Sequence, residues 1–253
     1  MTDTKPDSVS AEYAYRDRKL GDVEPITIRT APNVFHPTST SVLLLRAARR
    51  LVDRPPHATL DLGCGSGVVA VVLARVFGGA AAVSASDLSD AAVRLTLDNA
   101  ERNGVAIECR SGSLFEPWAG RRFDLIVDDV AGVAEPLDRL SGWYPNDVPS
   151  DAGPDGARWI LEVLDGAGAH LEPEGRLVFP VLTLSREGGI LDRARERFRT
   201  VNLLEEQWYP LSETLAGHMP LIEQLAAEGR VRLERRGSRW CWATMIFEAG
   251  QPT

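Results

Sequence analysis

The fold of this chain is decided by one short run, Thr59–Ala70, which reads TLDLGCGSGVVA. Its first residues have the apolar content of a buried strand, its glycines are typical of a tight turn, and its last residues begin a helix. Such a turn lets bare backbone approach a ligand, and the first helical turn offers N–H groups that have no partner inside the helix. The run therefore predicts a site for a nucleotide-like ligand, with an ordinary strand-to-helix turn as the alternative.

The spacing of the glycines distinguishes between two classes of cofactor. A dinucleotide-binding turn needs Gly-x-Gly-x-x-Gly, and its third glycine would fall where this chain has Val68. The turn instead reads Asp-x-Gly-x-Gly-x-Gly, with Asp61 two residues before Gly63. A carboxylate there would repel a pyrophosphate, but it suits a ligand with a cationic amino-acid end. The pattern resembles the first motif of class I S-adenosylmethionine-dependent methyltransferases.

Composition and charge favour one acidic globular domain. The 253 residues carry a formal net charge of −8, and none of their apolar runs reaches the roughly 20 residues that span a bilayer. Because nucleic-acid phosphates need a basic surface, nucleic acid is an unlikely partner, and no membrane partner is expected. By their spacing, Cys64, Cys109 and Cys241 form no metal-type or redox pair, which predicts a cytoplasmic protein without a metal.

Strand and helix signals alternate along the chain. Strands are predicted over residues 58–62, 81–86, 105–109, 123–127, 176–182 and 201–209, and helices over residues 41–52, 70–78, 89–102 and 154–171. This alternation predicts an α/β fold: a Rossmann-like, doubly wound, mostly parallel seven-stranded sheet with a C-terminal antiparallel hairpin and a short N-terminal extension. The ligand is expected at the carboxyl edge of the first strands.

The resemblance to methyltransferases extends well beyond the glycine turn. The segments that carry it are Val34–Thr40, Ala91–Gly104, Gly112–Pro117, Phe123–Val127, Gly153–Gly156 and Leu171–Leu177. Together they resemble the small-domain group that includes the release-factor glutamine methyltransferases, to which RNA adenine and guanine N-methyltransferases are similar. The likeness runs from Asn33 to Val181 and implies S-adenosyl-L-methionine as the cofactor.

Two regions are expected along the chain. Residues 1–40 are predicted to form an N-terminal tail, loose over its first ten residues, and a segment that approaches the cofactor. Residues 41–253 are predicted to form the methyltransferase domain. Residues 210–229 interrupt its C-terminal strands, and a helix predicted there over Met219–Ala227 is interpreted as a lid over the site or as a dimer contact.

The expected cofactor-binding residues lie in the turn and at the following strand ends. Asp87 comes about 20 residues after the glycines, where an acid can accept hydrogen bonds from two ribose hydroxyls, although such an acid is often a helix cap. Residues after the third strand could flank an adenine ring or form an ordinary loop. The predicted set is Asp61, Gly63, Cys64, Gly65, Gly67, Asp87, Leu88, Ser113, Leu114 and Asp128.

The chain departs from the group at the end of the fourth strand. The group has Asn-Pro-Pro and an aromatic residue there, which grip a planar amide or amino nitrogen, whereas this chain has Asp129-Val130-Ala131-Gly132. Asp128 and Asp129 could hold an ammonium or guanidinium group, or one could accept a proton from the attacking atom. The alternative is that one contacts the cofactor and the other is a solvated loop acid.

Three residues are predicted to be catalytic: Asp129, His36 and Tyr144. His36 could act as a base near neutral pH, although an isolated histidine is more often a structural hydrogen-bonding residue. Trp143 and Tyr144 could wall a pocket, with core packing of Trp143 as the alternative. An open pocket lined by Asp129, His36, Trp143 and Tyr144 would favour a small-molecule acceptor.

We therefore expect an S-adenosylmethionine-dependent methyltransferase that transfers its methyl group in line to a small-molecule substrate, such as an amine, an amino acid or a specialised metabolite. A homo-oligomer is left open. The alternatives are a protein or RNA N-methyltransferase with a divergent fourth motif, and a non-catalytic, cofactor-binding partner subunit.

Overall fold

The structure, a computed structural model, describes residues 11–16, 26–51, 55–79, 81–144, 148 and 150–253. The loose tail predicted for the first ten residues lies outside the described residues. The strands are β1 Glu12–Tyr15, β2 Ile26–Arg29, β3 Ala58–Leu62, β4 Ala82–Asp87, β5 Ile107–Ser111, β6 Phe123–Asp128, β7 Leu171–Leu182, β8 Phe198–Pro210, β9 Glu234–Arg236 and β10 Arg239–Pro252. The helices are α1 Ser39–Leu51, α2 Val68–Phe77, α3 Asp90–Arg102, α4 Glu135–Ser141, α5 Arg158–His170, α6 Glu187–Arg197, α7 Glu213–Ala216 and α8 Met219–Ala227.

The main sheet has the strand order β5-β4-β3-β6-β7-β10-β8, and β9 pairs with β10 as an eighth strand. Strands β3 to β7 are parallel, whereas β10 runs antiparallel to both of its long neighbours, β7 and β8. The predicted α/β fold is thus confirmed. The strand order reverses between β3 and β6, and a crevice at such a reversal is where ligands bind in open α/β sheets.

Helices cover both faces of the sheet. Successive side chains of a strand point to opposite faces, and β6 shows the consequence. Leu125 and Val127 join one apolar cluster with α1 and α2, whereas Ile126 joins another with α5 and α6. The apolar content of this strand, evident in the sequence, therefore reflects burial on both faces.

Several elements, among them the short helix α7, were not predicted from the sequence. Helix α4 is short and has Pro136 in its first turn. Helix α6 contains Gly188 and Gly189, so its intrinsic helix propensity is low, and it is stabilised by the packing of Ile190 and Ala194. The β1–β2 hairpin in the N-terminal extension was also not predicted. Its Ile26, Ile28 and Tyr15 side chains are buried in the cluster that contains α1 and α2.

The side-chain amide of Asn99 connects this hairpin to the glycine turn. The Arg29 N–H donates to Asn99 Oδ1 at 2.8 Å, while Asn99 Nδ2 donates to the carbonyl oxygens of Arg29 and Ser66 at 2.9 and 2.8 Å. Because Asn99 is fully buried on α3, these three bonds hold the hairpin, the helix and the turn in one arrangement. Across the described part of the chain, no helix is long and apolar enough to cross a membrane.

Candidate active site

The glycine turn between β3 and α2 adopts backbone conformations that favour glycine. Gly63, Gly65 and Gly67 have φ angles of +74°, +52° and +82°. A Cβ atom on Gly67 would lie 3.0 Å from the Thr96 Cα and closer still to its side chain. The N–H groups of Gly63 and Cys64 donate to the Ser86 carbonyl at 2.9 and 3.1 Å. The turn is therefore held tightly between β4 and α3, with its backbone free to face a ligand.

Asp61 lies at the base of this turn and is fully buried. Its Oδ2 accepts a hydrogen bond from the Ala70 N–H at 3.0 Å, whereas Oδ1 has no partner among the described residues. Burial, together with the neighbouring Asp129, raises the pKa of Asp61 well above its usual range. An unpartnered buried acceptor of this kind fits the amino group of S-adenosylmethionine, which would supply both the missing donor and a positive charge.

Asp87 ends β4 and is hydrogen-bonded within the chain. Its Oδ2 accepts from the Gly65 N–H at 2.9 Å, and its Oδ1 accepts from the Ser89 N–H at 2.8 Å. Burial raises the pKa of this carboxyl. Each oxygen keeps a second lone pair, so the loop-stabilising role and the predicted ribose contact are compatible.

A first cavity of about 620 Å³, including its open mouth, lies beside the turn. Its lining includes the predicted cofactor residues Gly63, Asp87, Leu88 and Leu114, together with Phe35, Ser86, Asp129, Val130, Ala131, Tyr144, Val148 and Trp159. Leu88 is 49% exposed, and Leu114 has a φ of +47°, which is uncommon for a side chain of that size. Two apolar side chains of this kind are suited to contact a purine ring. Ser113, also predicted, does not line this cavity.

The two acids at the end of β6 differ in their surroundings. Asp128 is fully buried, its Oδ1 accepts from the Val130 N–H at 3.2 Å, and its Oδ2 has no partner among the described residues. Burial raises the pKa of Asp128 to about 8. Asp129 is half-buried, and its Oδ2 accepts from the Ser41 hydroxyl at 2.6 Å, while burial raises its pKa to about 7.

A second cavity, of about 820 Å³ by the same measure, opens next to the first. Its lining consists of Phe35, Thr38, Ser39, Thr40, Asp129, Val130, Gly132, Val133, Trp143, Tyr144, Pro180, Leu182 and Trp242. Phe35, Asp129, Val130 and Tyr144 line both cavities. These four residues therefore stand where a ligand in one cavity would meet a ligand in the other.

The predicted catalytic residues do not all converge. Asp129 and Tyr144 meet at the junction of the cavities, but His36 is exposed, lines neither of them, and has its Nε2 3.1 Å from the Ala31 carbonyl oxygen. The neighbouring Phe35 occupies the junction instead. Phe35, Ser41 and Trp242 were missed because nothing in their local sequence indicates which distant residues they contact.

The insertion at residues 210–229 contains α7 and the helix predicted over Met219–Ala227, here α8. Leu215, Ile222 and Leu225 pack into an apolar cluster with Leu137 of α4 and Trp242 of β10. Trp143 packs at the edge of the same cluster. Because Trp143 and Trp242 also line the second cavity, the insertion supports this side of the cavity.

Two of the cysteines lie close together in the fold. The Sγ atoms of Cys64 and Cys109 are 3.7 Å apart, and both residues are free thiols. The parallel pairing of β4 with β5 places Cys109 beside Ala85, under the turn that carries Cys64. Spacing along the chain gave no indication of this contact, because the sheet brings the two residues together.

Comparison with known proteins identifies the region that contains the turn. Residues 25–129 match the family described as Methyltransferase small domain. The matched stretch makes up less than half of the chain. The match confirms S-adenosylmethionine as the cofactor. The fold is that of class I methyltransferases: the T. thermophilus 16S rRNA N2 G1207 methyltransferase, solved with AdoMet and guanosine, has a TM-score of 0.61 at 18% identity, with 96% of this chain and 51% of that one covered.

Two curated relatives bear on the acceptor. The release factor glutamine methyltransferase of Geobacter sulfurreducens is 35% identical over 58% of this chain and 52% of its own length. A putative protein N5-glutamine methyltransferase of Methanocaldococcus jannaschii is 28% identical over 67% of this chain and 76% of its own. The chain thus spans about half the length of the first of these relatives.

These relatives contradict the prediction of a small-molecule acceptor, because both are named for the methylation of protein glutamine. The open second cavity had been expected to favour a small molecule. It contains Asp129, Trp143 and Tyr144 but lacks His36, and an open cavity admits a side chain of a protein as readily as a free metabolite.

Proposed function

We propose that this protein is an S-adenosylmethionine-dependent methyltransferase that methylates a nitrogen atom of a protein substrate. The observation that carries the proposal is the junction of the two cavities at Asp129 and Tyr144, where a methyl donor and an inserted side chain would come into contact. The names of the two curated relatives support a protein as the substrate.

The chain's own residues have separate tasks in this reaction. When bound, S-adenosylmethionine supplies an already activated methyl group, so the protein has to orient the reactants and exclude water. We propose that Asp61 and Asp87 hold the amino-acid and ribose ends of the cofactor. We propose that Asp129, whose Oδ2 accepts a hydrogen bond from the Ser41 hydroxyl, faces the acceptor.

We propose further that residues 41–253 work as one domain and that residues 210–229 support its acceptor side. The insertion packs through Leu215 and Ile222 against the cluster that contains Trp242. This packing favours a supporting role over a mobile lid. The N-terminal segment contributes Phe35 to both cavities.

A labelling experiment tests the proposal. The purified protein is incubated with methyl-labelled S-adenosylmethionine and an extract of source cells from which its gene has been deleted, and the products are separated into protein, RNA and small molecules. We expect the label in protein. Label confined to RNA or to small molecules would contradict the proposal, and so would the absence of transfer to any fraction, which would favour a non-catalytic subunit.

Two glycine variants control this experiment. At Gly65, φ is +52° and a Cβ atom would lie 3.1 Å from the Phe35 carbonyl oxygen, so Gly65→Val should abolish labelling by distorting the cofactor turn. At Gly78, φ is +62° but a Cβ atom would meet no atom within 4 Å, and this residue lies outside the site. Gly78→Val should therefore retain labelling.

A further inference from the structure

Four aromatic side chains form one wall of the second cavity. This aromatic wall consists of Phe35, Trp143, Tyr144 and Trp242. The rings of Phe35 and Tyr144 are stacked, with centroids 4.9 Å apart and an angle of 20° between their planes. The rings of Trp143 and Trp242 lie 5.2 Å apart at 37°. Aromatic faces carry negative electrostatic potential, so such a wall attracts a cation.

Tyr144 contributes an uncharged ring to this wall. Burial raises the pKa of the Tyr144 phenol above its usual range, which keeps the hydroxyl group protonated and neutral. Gly132 stands at the position where the resembling group has its aromatic residue. Tyr144 therefore brings a ring to the same end of β6 from a different part of the chain.

The charged residues that line the two cavities also favour a cation. Their described linings contain the acids Asp87 and Asp129 and no lysine or arginine. Asp129 accepts the Ser41 hydroxyl through Oδ2, and no described residue donates to its Oδ1. A carboxylate oxygen of this kind beside aromatic faces is complementary to an ammonium group.

The same groups are a poor match for glutamine. An amide has a carbonyl oxygen that needs a donor and an NH₂ group that needs an acceptor, and an asparagine side chain offers both. An ionised aspartate offers acceptors alone, so Asp129 would face the amide oxygen with repulsion. The amide nitrogen also shares its lone pair with its carbonyl, whereas an amine becomes a nucleophile once it has lost a proton.

We propose that the acceptor is an aliphatic amine of a protein, a lysine side chain or an N-terminal α-amine, bound as an ammonium ion between Asp129 and the aromatic wall. This inference rests on the proposed function and names the acceptor within it. The curated relatives are named for methylation of glutamine. We infer an amine for this protein because Asp129 occupies the position where the resembling group has asparagine.

The proposed reaction balances with groups already present. The ammonium N–H bond breaks as its proton passes to a carboxylate oxygen of Asp129, leaving a free amine. The amine nitrogen then forms a bond to the methyl carbon, while the carbon–sulfur bond breaks and its electron pair stays on sulfur. The product is a methylated ammonium. Burial raises the pKa of Asp129 to about 7, which brings it nearer to that of an amine and eases the first step.

Product chemistry distinguishes the amine from the amide. Labelled protein from the extract experiment is hydrolysed in acid, which releases methylamine from N5-methylglutamine but leaves N-methyllysine and N-methyl α-amino acids intact. We expect the label to remain in a non-volatile methylated amino acid. Release of the label as methylamine would overturn this inference and leave the proposed function standing, whereas absence of label from protein would contradict the proposed function itself.

A binding measurement is independent of turnover. The protein is saturated with S-adenosylhomocysteine, and binding of n-butylammonium and of the neutral butyramide is followed by tryptophan fluorescence. We expect at least tenfold tighter binding of the ammonium, and we expect Asp129→Asn to abolish that preference. Asp138→Asn is the matched control and should retain it, because Asp138 lies nearby on α4 but lines neither cavity. Equal binding of the two probes, or a preference unchanged in Asp129→Asn, would overturn the inference.

Discussion

Four aspartates lie close together at the carboxyl ends of three neighbouring strands, although their charges repel one another. They are Asp61, Asp87, Asp128 and Asp129, and burial raises the pKa of each. Burying like-charged acids lowers the stability of a fold unless a partner compensates, and such clusters are concentrated at functional sites. A cationic cofactor and a cationic acceptor would both provide that compensation.

The first prediction concerns Asp61. In Asp61→Asn the side chain keeps its size, but the unpartnered buried acceptor and its charge are lost. We expect the dissociation constant for S-adenosylmethionine to rise at least tenfold, which corresponds to about 1.4 kcal/mol, as measured by calorimetric titration.

Asp124→Asn is the matched control for this change. Asp124 also accepts a backbone N–H, from Ala58 at 2.8 Å, but it lies near the opposite end of β6. We expect its affinity for the cofactor to stay within twofold of the wild type. Wild-type affinity in Asp61→Asn would show that the cofactor's amino group lies elsewhere.

Among the elements, the glycine turn and α3 depend on each other. The Ser89 hydroxyl accepts from the Ala92 N–H at 3.4 Å and caps α3. The first residues of α2 follow the turn, and Thr96 of α3 packs directly against Gly67. The position of α3 therefore determines how closely the turn can pack.

The second prediction compares two glycines in the left-handed region. Gly78→Ala, where a Cβ atom meets nothing within 4 Å, should lower the free energy of unfolding by about 1 kcal/mol through backbone strain alone. Gly67→Ala adds a close approach to the Thr96 backbone, so we expect a loss larger by at least a further 1 kcal/mol. Urea denaturation measures both, and equal losses would contradict the packing described for α3.

At the scale of the whole molecule, the cofactor and acceptor sides are supported by different apolar clusters. The turn and α2 are backed by the clusters that contain Val71 and Ala70. The second cavity is backed by the cluster of α4, α8 and Trp242. The two sides meet at the junction of Phe35, Asp129 and Tyr144, so a change behind one wall need not disturb the other.

The third prediction follows from this division. Ile222 is fully buried on α8, so Ile222→Ala should lower the free energy of unfolding by about 2 to 5 kcal/mol. Because the cluster supports Trp143 and Trp242, we expect labelling of protein to fall at least fivefold while affinity for S-adenosylmethionine stays within twofold.

Leu203→Ala serves as the comparison for this variant. Leu203 lies on β8 and is 51% exposed, so its truncation should change neither stability nor labelling by much. A parallel loss of cofactor affinity in Ile222→Ala would show that the two sides are not independent.

Local sequence determined the glycine turn, the cap at Ser89, the buried strand β6 and the cofactor class, because backbone stereochemistry and apolar periodicity act over a few residues. Tertiary structure alone decided the acceptor site. The bond between Ser41 and Asp129 joins residues 88 positions apart, and the pairs Phe35 with Tyr144 and Cys64 with Cys109 are likewise distant in sequence. Such contacts depend on how the helices and strands pack, and no short stretch of sequence specifies that packing.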